Sequence, residues 1–176
     1  MTTSILVAYA SRSGSTQEVA DVIAETLREC GLEVELQPIR NVRTLAGYSA
    51  VVLGAPLYMF RWHKDALRFL SRYQGVLTNG LPLAIFAGGP IELGDGDPWQ
   101  EVRAQLDREL AKFSWLKPAA VQIVGGKFDP TKLPFPYNLI PALRQRPASD
   151  LRDWTAIRAW ASDLVKQLQL AVPQEL

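Results

Sequence analysis

Three stretches of the chain are apolar without interruption: residues 4–9 (SILVAY), 50–55 (AVVLGA) and 82–87 (PLAIFA). Runs this short, closed by turn-forming residues, read as strands buried on both faces. Two further stretches are wetter. Residues 32–37 (LEVELQ) alternate apolar and charged, and residues 119–124 alternate less cleanly around Gln122, as expected of strands with one solvated face. Between these runs the period lengthens to that of a helix. Val19, Ile23 and Leu27 mark an amphipathic helix over residues 16–28, with Gly31 just past its end as a stop. Ala66, Phe69, Leu70 and Tyr73 mark a second over residues 62–73. A third opens at Asp97, an N-cap, followed by Pro98 and by Gln100 in the capping-box position. Its inner stripe is Val102, Leu106, Leu110 and Phe113. A last helix from about residue 151 carries Trp154, Ile157, Ala161, Leu164 and Leu168 on one side.

Strands alternating with helices, with no hairpin signal, imply an α/β fold: a parallel sheet covered by helices on both faces. The uninterrupted strands belong in its middle and the wetter ones at its edges. Numbering the five strands along the chain, the order 2-1-3-4-5 satisfies both conditions. A sheet of that order binds ligands outside the carboxyl ends of strands one and three. The loops that meet there are "YASRSGSTQEVA" (residues 9–20) and "PLYMFRW" (56–62). Residues 1–176 read as a single domain carrying one irregular, proline-rich insertion at about 127–150. That insertion is too long for a passive connection, and it leaves from the same rim.

Composition narrows the function. With 48% hydrophobic and 21% charged residues and a net charge of +1, the chain lacks the basic surface of a nucleic-acid protein. One cysteine, Cys30, and one histidine, His63, exclude an intrachain disulfide and a metal site built from His and Cys alone. The first ten residues do not form a signal peptide, and no apolar run reaches the ~20 residues of a transmembrane segment. A cytoplasmic location is the expectation.

Three loops carry candidate chemistry. In the first, Ser11, Ser13, Ser15 and Thr16 offer hydroxyls, Gly14 permits a tight turn and Arg12 adds a charge, all at a helix N-terminus that attracts anions. Ser15 and Glu18 also match a capping box, so a plain helix start accounts for the same residues. The absence of a Walker lysine and of a G-x-G-x-x-G turn argues against a triphosphate or a dinucleotide. In the second, Leu57, Tyr58, Met59, Phe60 and Trp62 crowd a strand-to-helix loop. They suit a flat heteroaromatic ring, or else pack under neighbouring loops or against a second copy. In the third, "AGGPIELGDGDPW", Gly88, Gly89, Gly94 and Gly96 let backbone approach a ligand, although a flexible turn uses the same residues.

Together "YASRSGSTQEVA", "GAPLYMFRWHKDALRFL" and the "AGGP" loop resemble the flavodoxin superfamily, in particular the flavodoxin-domain branch that includes quinone-linked protoporphyrinogen oxidases. The resemblance covers most of the chain in order and spacing, with "WLKPAAVQIVGGKF" and "DWTAIRAWA" included. It implies a flavodoxin-like three-layer fold and FMN as cofactor. Its phosphate would sit on Ser11, Arg12, Ser13, Gly14, Ser15 and Thr16. Its ring would be flanked by Pro56, Leu57, Tyr58, Met59 and Phe60 on one side and by Gly88, Gly89, Pro90, Ile91 and Gly94 on the other. His63 matches a histidine of relatives and is the single candidate for a proton donor, with a structural role equally open. Two departures stand out. Relatives often carry glycine after the loop aromatic, where this chain has Met59, and the protoporphyrinogen oxidases of this branch carry a longer, more basic and helical insertion before the last helix, where this chain is proline-rich.

The function expected is that of an FMN oxidoreductase passing electrons from an organic donor to a quinone-type acceptor, in the manner of a protoporphyrinogen oxidase. The alternative is an electron carrier without a substrate of its own. Carriers in the resembled family are acidic and this chain is near neutral, which favours the enzyme. A redox partner or a quinone-like small molecule follows as partner. Peripheral membrane contact through the insertion stays open, as does the oligomeric state. A phospho-receiver of the same strand order is disfavoured, because the strands at the switch point end in Tyr9–Ala10 and Ala55–Pro56 rather than in acids.

Overall fold

Apolar content sets each strand's place in the sheet. The computed structural model describes residues 4–173. Along the chain these form β1 (Ser4–Tyr9), α1 (Ser15–Glu29), β2 (Glu33–Pro38), β3 (Ala50–Tyr58), β4 (Arg61–Trp62), α2 (Lys64–Arg72), α3 (Gln74–Thr78) and β5 (Leu83–Gly88). There follow α4 (Pro98–Leu110), β6 (Ala120–Ile123), β7 (Lys127–Phe128), α5 (Pro141–Arg144), β8 (Ser149–Asp150) and α6 (Trp154–Gln167). The main sheet has the order β2-β1-β3-β5-β6, all parallel, which is the arrangement the hydrophobic pattern implies. β1 and β5 are almost wholly buried, whereas β2 and β6 are half-buried edges.

Side-chain alternation along the strands divides the core into two layers. Ile5, Val7, Val52 and Phe86 face α1 and α6, meeting Ile23, Leu27, Trp160 and Leu164. Leu6, Leu53 and Ile85 face α2 and α4, meeting Phe69, Leu70 and Leu106. Each such side chain, fully withdrawn from water, contributes about 1.5–3 kcal/mol. This two-sided burial holds the carboxyl ends of β1, β3 and β5 level at one rim.

At that rim the structure departs from the pattern in three places. β3 continues through Pro56, Leu57 and Tyr58 and turns back at once into β4, pairing Leu57 with Trp62 and Tyr58 with Arg61. A hairpin therefore stands where the sequence indicates a loop running into a helix, and α2 begins two residues later than its apolar stripe suggests, at Lys64. Second, α1 starts at Ser15 with Gly14 as its N-cap and no side-chain cap. The Ser15–Glu18 capping box does not form. Third, α6 begins at Trp154, capped by Asp153, because the residues before it form β8. β8 pairs antiparallel with β7, joining Lys127 to Asp150 and Phe128 to Ser149. The proline-rich segment is thus an excursion with its two ends zipped together.

Candidate functional site

The rim encloses a cavity of about 550 Å³. Its walls follow from how each strand end turns. After β1 the chain needs a sharp reversal to enter α1. Gly14 supplies it with φ +91, and its N–H donates to Ser11 Oγ at 2.9 Å. Ser11 and Gly14 therefore build the turn, and Arg12, Ser13, Ser15 and Thr16 face the cavity. Thr16 is buried, and a Cβ placed at Gly88 would lie 3.5 Å from its Oγ1. Thr16 hydroxyl, Gly88 backbone and the open first turn of α1 thus converge on one spot, where the helix dipole favours negative charge.

The second wall is the β3–β4 hairpin. Its two turn residues, Met59 and Phe60, have φ +49 and +68. A two-residue turn with both central residues in this region is the form that matches strand twist, and it is normally made by glycine and asparagine. Met59 thus adopts the backbone conformation that a glycine at this position would take freely. Both side chains stand in solvent, 66% and 73% exposed. The hairpin is held from below by Trp62, which is buried, donates from Nε1 to the Ala55 carbonyl at 3.0 Å and from its backbone N–H to Glu109 Oε2 at 3.3 Å. Tyr58 faces the cavity with the Arg12 guanidinium 4.6 Å from its ring centre. Burial, with some help from Tyr137, pushes its hydroxyl above the ordinary tyrosine range, and Arg12 opposes this.

The third wall is the β5–α4 loop. Gly88, Gly89 and Pro90 are buried, while Ile91 and Gly94 lie further out along the same wall. Gly89 has φ +136, and a Cβ there would come within 3.3 Å of Val102. This loop is stacked on the end of β6. Gly126 donates to the Pro90 carbonyl at 2.9 Å, and a Cβ at Gly126 would sit 2.8 Å from Ile91 Cγ2.

The fourth wall comes from the proline-rich insertion, which the sequence places at this rim without indicating which of its residues face inward. Leu133, Pro134, Tyr137, Ile140, Leu143 and Arg146 of the 127–150 segment line the same cavity. Tyr137 meets Tyr58 edge to face, centroids 5.3 Å apart. Arg146 pairs with Glu92 and lies over the Phe128 ring, and Ser149 hydrogen-bonds the Ile91 carbonyl, so the segment is tied to the third wall. Its apolar prolines and leucines, so near the rim, are the available signal. Arg152 also lines the cavity.

His63 lies outside the cavity wall. Its Nδ1 accepts the Asp65 N–H at 3.1 Å, capping α2, and the side chain is buried. An acceptor Nδ1 fixes the neutral tautomer protonated at Nε2. Burial lowers its pKa, against an opposing pull from Asp65. Asp65 in turn pairs with Arg40 at 3.0 Å. This geometry is that of a helix cap.

A flavodoxin-domain family profile matches residues 6–139, the greater part of the chain and all of the first three walls. The chain belongs to the flavodoxin-domain family. It is 30% identical over 91 residues to a probable flavodoxin 1 of Bacillus subtilis, covering 48% of this chain and 55% of that protein. It is 25% identical over 84 residues to the protoporphyrinogen IX dehydrogenase [quinone] of Escherichia coli K12, covering 47% of this chain and 46% of that one. The matches thus span about half the length of these relatives. Among solved structures, oxidised flavodoxin 1 of Bacillus cereus superposes with a TM-score of 0.59 at 20% identity, covering 93% of this chain and 98% of that one, a likeness of fold.

The cofactor of the family is FMN, and the residues present fit it. The α1 turn offers one compact anion site. The second and third walls offer an aromatic face opposite backbone that three glycines leave free of side chains, suited to one flat ring.

Proposed function

We propose that this chain is an FMN-dependent oxidoreductase that passes electrons between an organic donor and a quinone-type acceptor, both meeting the ring inside the cavity. The observation that carries the reading is the fourth wall. Leu133, Pro134, Tyr137, Ile140 and Leu143 give the ring side of the cavity an apolar lining that a partner protein would not need and a small apolar reactant would.

In this reading Arg12, Ser13, Ser15 and Thr16 hold the phosphate, with Ser11 and Gly14 shaping their turn. Pro56, Leu57, Tyr58, Met59 and Phe60 bound one side of the ring, and Gly88, Gly89, Pro90, Ile91 and Gly94 the other. FMN, when bound, supplies the redox chemistry. The chain binds it, aligns it and keeps water from its face through Tyr58, Tyr137 and the 127–150 segment. The mainly apolar walls offer little to a negative charge on the ring, which disfavours its anionic reduced form. His63 takes a structural role in this reading, because it caps α2 and does not line the cavity.

A cytoplasmic location is part of the proposal; no helix of the described residues is long and apolar enough to cross a membrane. Exposed Leu93, Phe135, Leu139 and Ile140 give the cavity region an apolar rim, the surface on which a quinone-bearing membrane would be met.

The test begins with the visible spectrum of the purified chain and an FMN titration. A yellow protein that oxidises protoporphyrinogen or a related donor with a soluble quinone supports the reading. A chain that takes up no FMN overturns it. One that binds FMN yet turns over no donor–quinone pair is a carrier. The exposed hairpin tip, Met59 and Phe60, favours that second reading, because it presents apolar surface to a protein partner beside the ring.

A further inference from the structure

Arg152 is the most heavily engaged side chain near the site. Its side chain is 3% exposed, an unusual degree of burial for an arginine. Nε donates to Asp150 Oδ1 at 2.9 Å and Nη2 to Asp150 Oδ2 at 2.8 Å, a bidentate grip. Nη1 donates to Glu18 Oε2 at 2.9 Å and to the Ser15 carbonyl at 3.1 Å. The guanidinium also lies 4.7 Å from the Trp154 ring centre. It therefore reaches from the end of the 127–150 segment to the first turn of α1, the turn that frames the anion site.

The charges there are unbalanced. Glu18 lies in the first turn of α1, beside the cavity-lining Ser15 and Thr16, so its carboxylate opposes an anion bound at that turn. Asp150 adds a second carboxylate close by. With Arg152 the group of three carries one net negative charge; without it, two. A cation buried against a helix N-terminus is also unfavourable to the dipole. That cost is offset by the two carboxylates, and it falls where an anionic ligand gains most.

We propose that Arg152 is a positioning residue for the FMN phosphate: it cancels Glu18 and fixes the Ser15 carbonyl, so that the first turn of α1 presents its N–H groups to the anion. The inference rests on the FMN reading above. It makes the phosphate, and not the ring, the part of the ligand whose binding depends on residue 152.

Riboflavin, which lacks the phosphate, isolates the effect. Affinities of FMN and riboflavin for the apo-chain are measured by quenching of flavin fluorescence, for wild type, Arg152→Met, Glu18→Gln and the double variant. Arg152→Met is expected to weaken FMN by about tenfold or more while riboflavin changes less than about twofold, as loss of a buried charge partner acts on the anion alone. Glu18→Gln alone is expected to tighten FMN relative to riboflavin, and in the double variant to restore most of the loss. Equal loss of both flavins in Arg152→Met, or an unchanged FMN-to-riboflavin ratio, overturns the proposal and leaves the FMN reading standing. Failure of the wild type to bind FMN overturns both. If Arg152→Met does not fold, as judged by circular dichroism, Glu18→Gln decides: a ratio that stays constant or falls overturns the proposal.

Discussion

The ring of Phe86 fills the space where any side chain at Gly54 would have to be: a Cβ there would fall 1.8 Å from Phe86 Cζ. The two residues are direct partners in the β3–β5 ladder, and Phe86 also packs edge to face on Trp160 of α6. One absent methyl group thus lets an aromatic from β5 close the α1–α6 layer beneath the site.

Gly54→Ala is accordingly expected to destabilise the fold, because rigid ring atoms rather than a flexible tip must move. The cost is about 1–3 kcal/mol or somewhat more, as for other overpacked cores. Thermal unfolding should shift down by roughly 2–4 °C per kcal/mol in a chain of this size. A melt within a degree of wild type would mean that Phe86 has room to move that the structure does not show.

The hairpin tip makes an opposite prediction. Met59 and Phe60 hold φ values of +49 and +68 without the glycine that usually relieves them. Phe60→Gly removes a left-handed penalty of about 1–2 kcal/mol and returns part of it as unfolded-state entropy. The net expectation is a gain of about 0.5–1 kcal/mol in urea unfolding, since the 73% exposed Phe60 gives up little buried surface. A loss of more than about 1 kcal/mol would place Phe60 in a packing role.

Much of the fold is legible in the residues, and for definite reasons. Strands buried on both faces must be apolar throughout, so "SILVAY", "AVVLGA" and "PLAIFA" mark the sheet centre before any topology is known. Asp97 does accept the Gln100 N–H, as its spacing indicates, because capping is local. What escapes is long-range. The helix starts one residue earlier than the Ser15–Glu18 capping box spells, with Gly14 as N-cap, and the Glu18 carboxylate instead pairs with Arg152, 134 residues away. The β3–β4 hairpin lacks the Asn-Gly signal because Met59 and Phe60 are held in place by Trp62 below rather than by turn propensity. The fourth wall depends on Tyr137 reaching Tyr58, a contact that no periodicity encodes. The switch-point loops and the 127–150 insertion beside them could be located, but not which side chains of the insertion turn into the cavity.

Acid should weaken the fold through His63. Its neutral form is held by the Asp65 N–H at Nδ1, and burial lowers its pKa below the ordinary value of about 6.5. As pH falls through that value, the unfolded chain takes up a proton that the folded chain refuses, so stability declines down to the lowered folded pKa. The slope is at most about 1.4 kcal/mol per pH unit. His63→Asn keeps an acceptor at the N-cap and does not titrate. Urea unfolding at several pH values between 7.5 and 5 should therefore show a steeper decline for wild type than for the variant. Parallel slopes would mean that His63 takes up its proton equally in both states.

Tyr137 offers the most direct check on the fourth wall. Its ring is held against Tyr58 from a segment that is closed on itself by the β7–β8 pair and tied to the third wall through Arg146 and Ser149. Tyr137→Ala removes the edge-to-face contact at a cost to stability of about 0.5–1.5 kcal/mol and leaves the phosphate turn untouched. Bound flavin should then become more accessible to iodide, seen as stronger quenching of its fluorescence, with FMN affinity reduced only modestly. On the oxidoreductase reading proposed above, the same substitution should raise turnover with bulkier quinones relative to small ones, because the cavity loses one aromatic from its wall. If iodide accessibility and acceptor preference both match wild type, the segment does not cover the ring, and the apolar lining it supplies is a surface packed for its own stability.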